Sequence, residues 1–261
     1  MLKDIQSLGD DRNIAIDNVG IKNILYPIVV KDKTKGMQHT VARINMYVKL
    51  PHSFKGTHMS RFVEILNNYK TDIDIRSFGD ILDDMMSALD SEEASVEVKF
   101  PYFIEKKAPV SGLASLMDYE CKYIGYATPD KKDFITCVKV PVVSLCPCSK
   151  EISDFGAHNQ RSYVEIKVRY SKMVWIEDLV NIAESSGSAP IYSLLKREDE
   201  KYITEKSYNN PVFVEDIVRN VSGKLLADDR ITWFEVSSDN IESIHNHSAY
   251  ALVTRDKRKQ S

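Results

Sequence analysis

A strict alternation of apolar and polar side chains is the sequence feature that most limits the fold of this chain. Between residues 38 and 50, polar or aromatic side chains separate five apolar ones, Ala42, Ile44, Met46, Val48 and Leu50. A period of two is that of a β-strand with one buried face. The segment 21–30 is rich in β-branched residues, so we expect it to pair with 38–50 as a neighbouring strand.

The same order of strands and helices is predicted twice along the chain. After the first two strands, apolar spacings of three and four predict helices at 60–69 and 75–89, and alternation predicts strands at 95–103 and 113–126. The second half predicts strands at 134–143, 162–170, 231–236 and 249–254 and helices at 175–183 and 212–226. We therefore predict an α+β fold of two tandem ββααββ units, 1–130 with an N-terminal extension and 131–261 with most of the candidate functional residues.

Composition excludes several classes of protein. With 43% hydrophobic and 28% charged residues, the chain has the composition of a soluble globular protein, and no segment approaches the roughly 20 apolar residues of a membrane span. Lys and Arg number 35 against 38 acidic residues, which gives no overall attraction for nucleic acid. Four cysteines without an export signal favour reduced thiols and a cytoplasmic location.

Two of the four cysteines and three of the six histidines fall in three short segments, 144–150, 156–161 and 244–248. Sulfur and imidazole are ligands that zinc and its neighbours prefer. In Cys146-Pro147-Cys148 the proline should turn the chain at a strand end. The spacing differs from the C-x-x-C of zinc knuckles, so the two sulfurs need not share one metal ion, and three interpretations stay open. Both thiols ligate one ion, or one ligates a metal while the other stays free beside Lys150, or both are small buried hydrophobic groups.

His245 and His247 stand two apart just before a predicted strand, where extended backbone points them to the same side. Alone, this spacing fits surface polarity as well as metal ligation. With His158 and Cys146 it completes a set of nitrogen and sulfur ligands, and the acidic stretch 197–200 offers an oxygen.

Two predicted helix starts carry charged groups that suit a ligand. Glu215 follows Pro211, and its simplest role is a favourable interaction with the helix dipole. The segment 56–61 places His58 and Arg61 where anions bind readily. The two common phosphate-binding loops, G-x-x-x-x-G-K-[ST] and G-x-G-x-x-G, do not occur in the sequence.

Taken together, the motifs resemble the prokaryotic GTP cyclohydrolases of type IB. The resemblance runs through segments 10–13, 55–62, 144–150, 156–161, 197–201 and 242–249, in order along the chain. It implies a tunnelling fold, with antiparallel sheets and helices on one face, assembled into a homotetramer with active sites at subunit interfaces. It also implies a cytoplasmic hydrolase that converts GTP and water to 7,8-dihydroneopterin triphosphate and formate, which opens folate synthesis and in many bacteria feeds deazaguanine modification of tRNA.

The resemblance also implies roles for individual residues. One divalent metal, zinc or manganese with iron as a further option, would be held by Cys146, His158, Glu200 and His245. Cys148 would be the essential free thiol, Glu215 the guanine anchor, and Cys148, His158 and His247 the candidates for proton transfer. The triphosphate needs cations, for which the candidates are Lys55, Arg61, Lys150 and Arg161. No role follows for a membrane or a nucleic acid.

Two alternatives remain at this point. Archaeal relatives look similar, release a cyclic-phosphate product and favour iron. A non-catalytic purine-binding module with a structural metal would share the same residues without turnover.

Overall fold

The computed structural model describes residues 6, 8–69 and 75–259, with residues 75 and 76 described by their backbone alone. The described residues form nine strands and six α-helices, so the predicted α+β class is confirmed. Two compact units are present, Met1–Pro101 with Lys122–Thr136, and Tyr102–Cys121 with Cys137–Ser261. Three strands, β3, β4 and β5, contribute residues to both units; their bounds are Ala94–Lys107, Ala114–Thr128 and Lys131–Leu145.

The first unit opens with the predicted hairpin, β1 (Ile16–Asp32) and β2 (Gly36–Leu50), which pair antiparallel. Gly36 has a φ of 81°, a conformation that glycine adopts without strain at this turn. The alternation predicted a buried face on β2, and Ala42, Ile44 and Met46 are fully buried. Strand β1 begins before the predicted residue 21, because two register shifts let its polar start remain paired with β2.

Helices α1 (Met59–Asn68) and α2 (Ile75–Ala88) follow in this unit, as the three-and-four spacing predicted. Phe78 of α2 packs edge-on against Tyr123 and Phe134, with ring centroids 6.0 and 5.2 Å away. Gly125 lies under this cluster, where an added Cβ would come within 2.7 Å of the Phe78 ring. The glycine therefore lets the helix approach the sheet closely.

The second unit carries the remaining elements. They are α3 (Pro147–Ile152), β6 (Asn159–Tyr170), α4 (Ile176–Glu184), β7 (Ala189–Pro190), α5 (Arg197–Asn209), α6 (Val214–Ala227), β8 (Ile231–Ile241), β9 (Ser248–Asp256) and a 3₁₀ turn, Lys257–Lys259. Strand β8 pairs antiparallel with both β6 and β9, and the two-residue β7 pairs with β5. No helix among the described residues is long and apolar enough to cross a membrane.

The two faces of β6 and β8 differ sharply. Val164, Ile166 and Phe234 are fully buried, and the inward faces of α4 and α6 are buried with them. Lys167 lies on the alternate positions of β6, with its Nζ 3.2 Å from Glu165 and 2.8 Å from Glu235. Because these strands have one apolar face and one charged face, apolar and polar residues alternate along them, and the strands of the second half could be predicted from the sequence.

Every strand and helix predicted in the second half is present, but α3, β7 and α5 are additional. The acidic stretch 197–200 was predicted only to offer an oxygen ligand, and no helix was predicted there. It belongs to α5, whose first turn carries Glu198, Asp199 and Glu200 and whose last turn carries Lys206, the charge order that a helix dipole favours. The buried residues of α5 are Asp199 and Ser207, both polar. The sequence therefore has no apolar periodicity from which this helix could be predicted.

Candidate active site

The two thiols lie where β5 ends and α3 begins. Cys146 is the N-cap of α3, and Pro147 occupies the first helical turn. The Sγ atom of Cys146 accepts a hydrogen bond from the Ser149 N–H at 3.4 Å. Cys146 is partly exposed and Cys148 is exposed. The prediction that the proline places both thiols at a strand end is confirmed, and neither thiol is a buried hydrophobic group.

The chain then returns so that His158 lies beside Cys146. The Cys146 N–H donates to the His158 carbonyl at 3.1 Å. The Ser149 hydroxyl accepts from the His158 N–H at 3.2 Å and donates to the Cys146 carbonyl at 3.1 Å. Gly156, with a φ of 90°, makes the turn that this return needs. A sulfur and an imidazole from different motifs are thus attached to one closed loop.

A buried amide orients the His158 ring. The Gln160 amide nitrogen donates to Ser144 Oγ at 3.0 Å and to Glu242 Oε1 at 3.3 Å, while its oxygen lies 3.0 Å from His158 Nδ1. Because a carboxylate only accepts, the amide nitrogen must face Glu242, and the amide oxygen must then accept from His158 Nδ1. This leaves the lone pair on His158 Nε2, the form that ligates a metal or takes up a proton.

Glu242 stands between two of the histidines. Its Oε2 lies 3.9 Å from His158 Nδ1 and 3.8 Å from His245 Nδ1, and its side chain is 13% exposed. His245 and His247 stack with ring centroids 5.1 Å apart, so they point to the same side as predicted, but residues 243–247 form bends and not the extended backbone from which the prediction was made. Sequence reasoning missed Glu242, although it stands three residues before His245 in the motif that carries the resemblance.

Glu200 and Glu215 lie in the first turns of two different helices, α5 and α6, and both are exposed. The described residues contain no group of three His, Cys, Asp or Glu side chains placed to hold a metal ion. The structure therefore brings Cys146 to His158 and brings His158 and His245 to Glu242, but it does not gather the whole predicted ligand set.

Two of the four cations predicted to hold the triphosphate belong to each compact unit. In the first unit, the Lys55 N–H donates to the Leu8 carbonyl at 2.9 Å, and Arg61 Nη1 donates to the Ala88 carbonyl at 2.6 Å. In the second unit, Lys150 Nζ donates to the Tyr208 carbonyl at 2.5 Å and lies 4.3 Å from the centre of the Tyr208 ring.

Arg161 lines a cavity of about 500 Å³ in the second unit. It shares the cavity wall with Lys139 and Tyr163, and with the carboxylates of Asp118 and Glu120. Gln160, the preceding residue on β6, is buried and contacts Ser144, so Arg161 projects from the opposite face of the strand.

An aspartate at the third helical position caps each of the helices that carry Glu200 and Glu215. In α5, Asp199 Oδ2 accepts from the Lys196 N–H at 2.9 Å and from Ser111 Oγ at 2.6 Å. Its Oδ1 accepts from the N–H groups of Val110 and Ser111 at 2.8 and 2.9 Å. Burial raises the pKa of Asp199, but these hydrogen bonds outweigh it and hold the pKa well below its ordinary value.

The corresponding residue of α6 is more open. Asp216 Oδ2 accepts from the Phe213 N–H at 3.0 Å, and its Oδ1 lies 3.7 Å from Arg219 Nη1. The side chain of Asp216 is 40% exposed. Both contacts are therefore local to the helix.

Comparison with known proteins extends over nearly the whole chain. The family model described as "Type I GTP cyclohydrolase folE2" matches residues 2–251. A GTP cyclohydrolase FolE2 of Geotalea uraniireducens is 59% identical over 259 residues, covering 99% of this chain and 95% of that protein. A GTP cyclohydrolase FolE2 of Syntrophotalea carbinolica is 61% identical over 253 residues, covering 97% and 94%.

Solved structures of urate oxidases share the fold. A hyperthermostable mutant of the Bacillus sp. TB-90 urate oxidase superposes with a TM-score of 0.56 at 10% identity, covering 92% of this chain and 99% of that chain. The uricase from Arthrobacter globiformis gives a TM-score of 0.51 at 8% identity, covering 94% of each. At these identities the likeness concerns the fold alone.

Proposed function

The chain belongs to the type I GTP cyclohydrolase FolE2 family, and on this premise we propose that it converts GTP and water to 7,8-dihydroneopterin triphosphate and formate, the step that opens folate synthesis. The observation that carries the proposal is the family match over residues 2–251. The closed loop that joins Cys146 to His158 adds support from the geometry.

The site residues suit one zinc or manganese ion by their chemistry. Cys146 supplies a partly exposed sulfur, His158 an Nε2 lone pair, and His245 a half-exposed imidazole. We assign these three residues and Glu200 to the metal, and we add Glu242 as a second carboxylate beside the two imidazoles. When bound, a divalent ion lowers the pKa of its water ligand toward about 7 and so supplies hydroxide at neutral pH.

Opening of the guanine five-membered ring and release of formate require proton transfers. Cys148 is an exposed thiol two residues from Cys146, and we assign its Sγ to hold or move a proton near the reacting carbon. His247 stacks on His245 and is the second candidate for a proton carrier. His158 uses Nε2 whether it binds the metal or carries a proton, because Gln160 occupies Nδ1.

We assign Glu215 to recognition of the base. Guanine presents its N1–H and 2-amino group side by side, and an ionised carboxylate accepts both in a charge-assisted pair that adenine does not offer. Glu215 is exposed in the first turn of α6, which leaves its two oxygens accessible to a base.

We assign the triphosphate to Lys55, Arg61, Lys150 and Arg161. Within the described residues none of these four side chains forms an ion pair with a carboxylate. Lys139, whose Nζ lies 4.9 Å from the Tyr163 ring centre, is a second cation in the cavity of Arg161, beside the carboxylates of Asp118 and Glu120.

We further propose the tunnelling fold, with tandem ββααββ units at 1–130 and 131–261, and a homotetramer with shared active sites. The element order supports the first proposal, since residues 16–128 run ββααββ and residues 131–256 repeat this order with α3, β7 and α5 inserted. Apolar side chains near the site support the second, because Ile152, Phe155 and Ile244 are strongly exposed and Phe155 is 97% exposed. The four free thiols accord with a reducing cytoplasm.

The central experiment uses the full chain, freed of metal and reloaded anaerobically with zinc, manganese or iron in separate samples. Incubation with GTP should give a product that oxidises to a fluorescent pterin and has the mass of 7,8-dihydroneopterin triphosphate. If no pterin forms with any of the three metals, the proposal is overturned. If the product has the mass of a cyclic phosphate, the proposed product is wrong and the cyclic phosphate takes its place.

The Cys148→Ala variant separates turnover from binding. We expect it to keep one equivalent of metal and to lose pterin formation, because Cys148 lies outside the proposed ligand set. Full turnover by this variant would contradict the role assigned to the thiol.

A further inference from the structure

The start of helix α5 is fastened by one buried carboxylate. Asp199 is fully buried and accepts four hydrogen bonds of 2.6–2.9 Å. One of the four comes from the Lys196 N–H at the helix N-cap, and three come from Val110 and Ser111 in the turn between β3 and β4, about 90 residues earlier. A buried carboxylate is costly unless its acceptors are satisfied, and here they are.

The turn to which Asp199 binds is itself closed. The Ala108 N–H donates to the Leu113 carbonyl at 2.9 Å, and the Gly112 N–H donates to the Ala108 carbonyl at 3.1 Å. Gly112 has a φ of 69°, which suits this tight turn. The β3–β4 turn therefore offers Asp199 two backbone N–H groups and a hydroxyl from a structure that holds its own shape.

We infer that Asp199 is a positioning residue for Glu200, holding the first turn of α5 in the place from which Glu200 ligates the metal. Glu200 follows Asp199 directly, and its N–H donates to the Lys196 carbonyl at 2.9 Å, so both carboxylates belong to the same helical turn. The remaining buried residue of α5 is Ser207, so no apolar face fixes this turn. The inference rests on the proposed role of Glu200 as a metal ligand.

The test is a double-mutant cycle read by metal affinity. The full chain and the variants Asp199→Asn, Glu200→Gln and the double variant are titrated with Zn²⁺ against a chromogenic chelator. We expect Asp199→Asn to bind Zn²⁺ about 10- to 100-fold more weakly, and Glu200→Gln, which removes a proposed ligand, to bind it at least as weakly as Asp199→Asn. The double variant should bind no more weakly than Glu200→Gln, because Asp199 acts only through Glu200.

Asp216→Asn is the matched control, since it removes the equivalent charge from the start of α6. It should leave the Zn²⁺ affinity unchanged. If Asp199→Asn proves unfolded, Ser111→Ala removes the 2.6 Å hydrogen bond alone and should give a smaller loss of affinity, again absent when Glu200 is already replaced.

The outcomes separate the inference from its premise. Wild-type affinity in Asp199→Asn, or losses that multiply in the double variant, would overturn the inference while Glu200 stays a ligand. Wild-type affinity in Glu200→Gln would remove Glu200 from the ligand set and the inference with it. Pterin formation by Glu200→Gln at saturating metal is measured alongside, so a failure of the proposed reaction is recognised separately.

Discussion

Helices α5 and α6 both begin with an aspartate that caps the helix, yet they are attached to the protein in opposite ways. Asp199 and Asp216 accept from the N-cap N–H of their helices at 2.9 and 3.0 Å. Asp199 is fully buried and also binds a distant turn, whereas the side chain of Asp216 is 40% exposed and its contacts are local. The same capping motif is thus a tertiary contact in one helix and a local one in the other.

The cause is the rest of each helix. Helix α6 buries a continuous apolar stripe, Val214, Ile217, Val218, Val221 and Leu225. Each such side chain contributes about 1.5–3 kcal/mol on burial, so α6 is held without help from its cap. Helix α5 has no such stripe among its residues, all of which are described, and the hydrogen bonds of Asp199 take its place. Helix α6 is thus positioned by its buried apolar face, and helix α5 by the hydrogen bonds at its N-terminus.

The largest expected effect concerns α6 and the base. Glu215→Gln replaces a charged double acceptor with an amide that has one oxygen, so the pair with guanine loses its charge and one acceptor. We expect kcat/KM for GTP to fall on the order of 10²–10³-fold, with one equivalent of metal retained. Steady-state kinetics and metal analysis of the same samples check this. A loss of metal in this variant would break the division of roles between the two helices.

The next effect concerns α5 and the metal. Glu200→Gln should lose activity at limiting metal, because removal of a ligand should lower the affinity at least as much as the about 10- to 100-fold expected for a residue that supports a ligand, and activity should recover when the metal concentration is raised. Activity is measured as a function of added Mn²⁺. Glu198→Gln is the matched control, since it removes an exposed charge from the same turn. Equal behaviour of the two variants would contradict the assignment of Glu200.

Removal of the metal gives a smaller effect that can be measured without substrate. Metal present at 100 times its dissociation constant stabilises the folded chain by about 2.7 kcal/mol, so chelation should lower Tm by roughly 5–10 °C. The Glu215→Gln variant should show the same shift and Glu200→Gln a smaller one. Thermal unfolding with and without chelator checks this, and an equal shift in both variants would remove the contrast between the helices.

The smallest effect concerns the cap of α6. Asp216→Asn weakens a half-exposed, local interaction, and we expect a loss of about 1 kcal/mol or less in the free energy of unfolding. Asp199→Asn should lower Tm more, because it leaves donors in a buried turn without a charged acceptor. Thermal unfolding of both variants compares them directly. A larger fall in Asp216→Asn would mean that the apolar stripe does not hold α6.

The sequence predicted well the elements that bury one face. The alternation of β2 and the three-and-four spacing of α2 and α6 follow directly from contact with a core, so the pattern is visible in the residues themselves. Helix α5 has no buried apolar side, and a charged stretch gives no period to detect. Its place in the fold depends on a carboxylate whose partners outside the helix, Ser111 and Val110, are 88 and 89 residues away.

The site shows the same limit. The turn at Pro147 and the shared direction of His245 and His247 are local properties, and both were predicted. The contacts of Gln160 with Ser144 and Glu242 join residues 16 and 82 positions apart. Such contacts produce no repeating pattern in the sequence, because each hydrogen bond needs only one donor residue and one acceptor residue. Glu242 was therefore overlooked beside residues whose types alone suggested metal binding.

The way α5 is attached also sets how it tolerates sequence change. Helix α6 spreads its attachment over five apolar side chains, so a conservative replacement at any one removes a fraction of the whole. In α5 the outward residues other than Glu200 can vary widely, since exposed helix positions accept many side chains at little cost. Fold stability should therefore constrain α5 mainly at Asp199. In a library of random variants selected only for folding, α5 should tolerate most replacements except at Asp199, whereas selection for activity should add Glu200 as a second intolerant position.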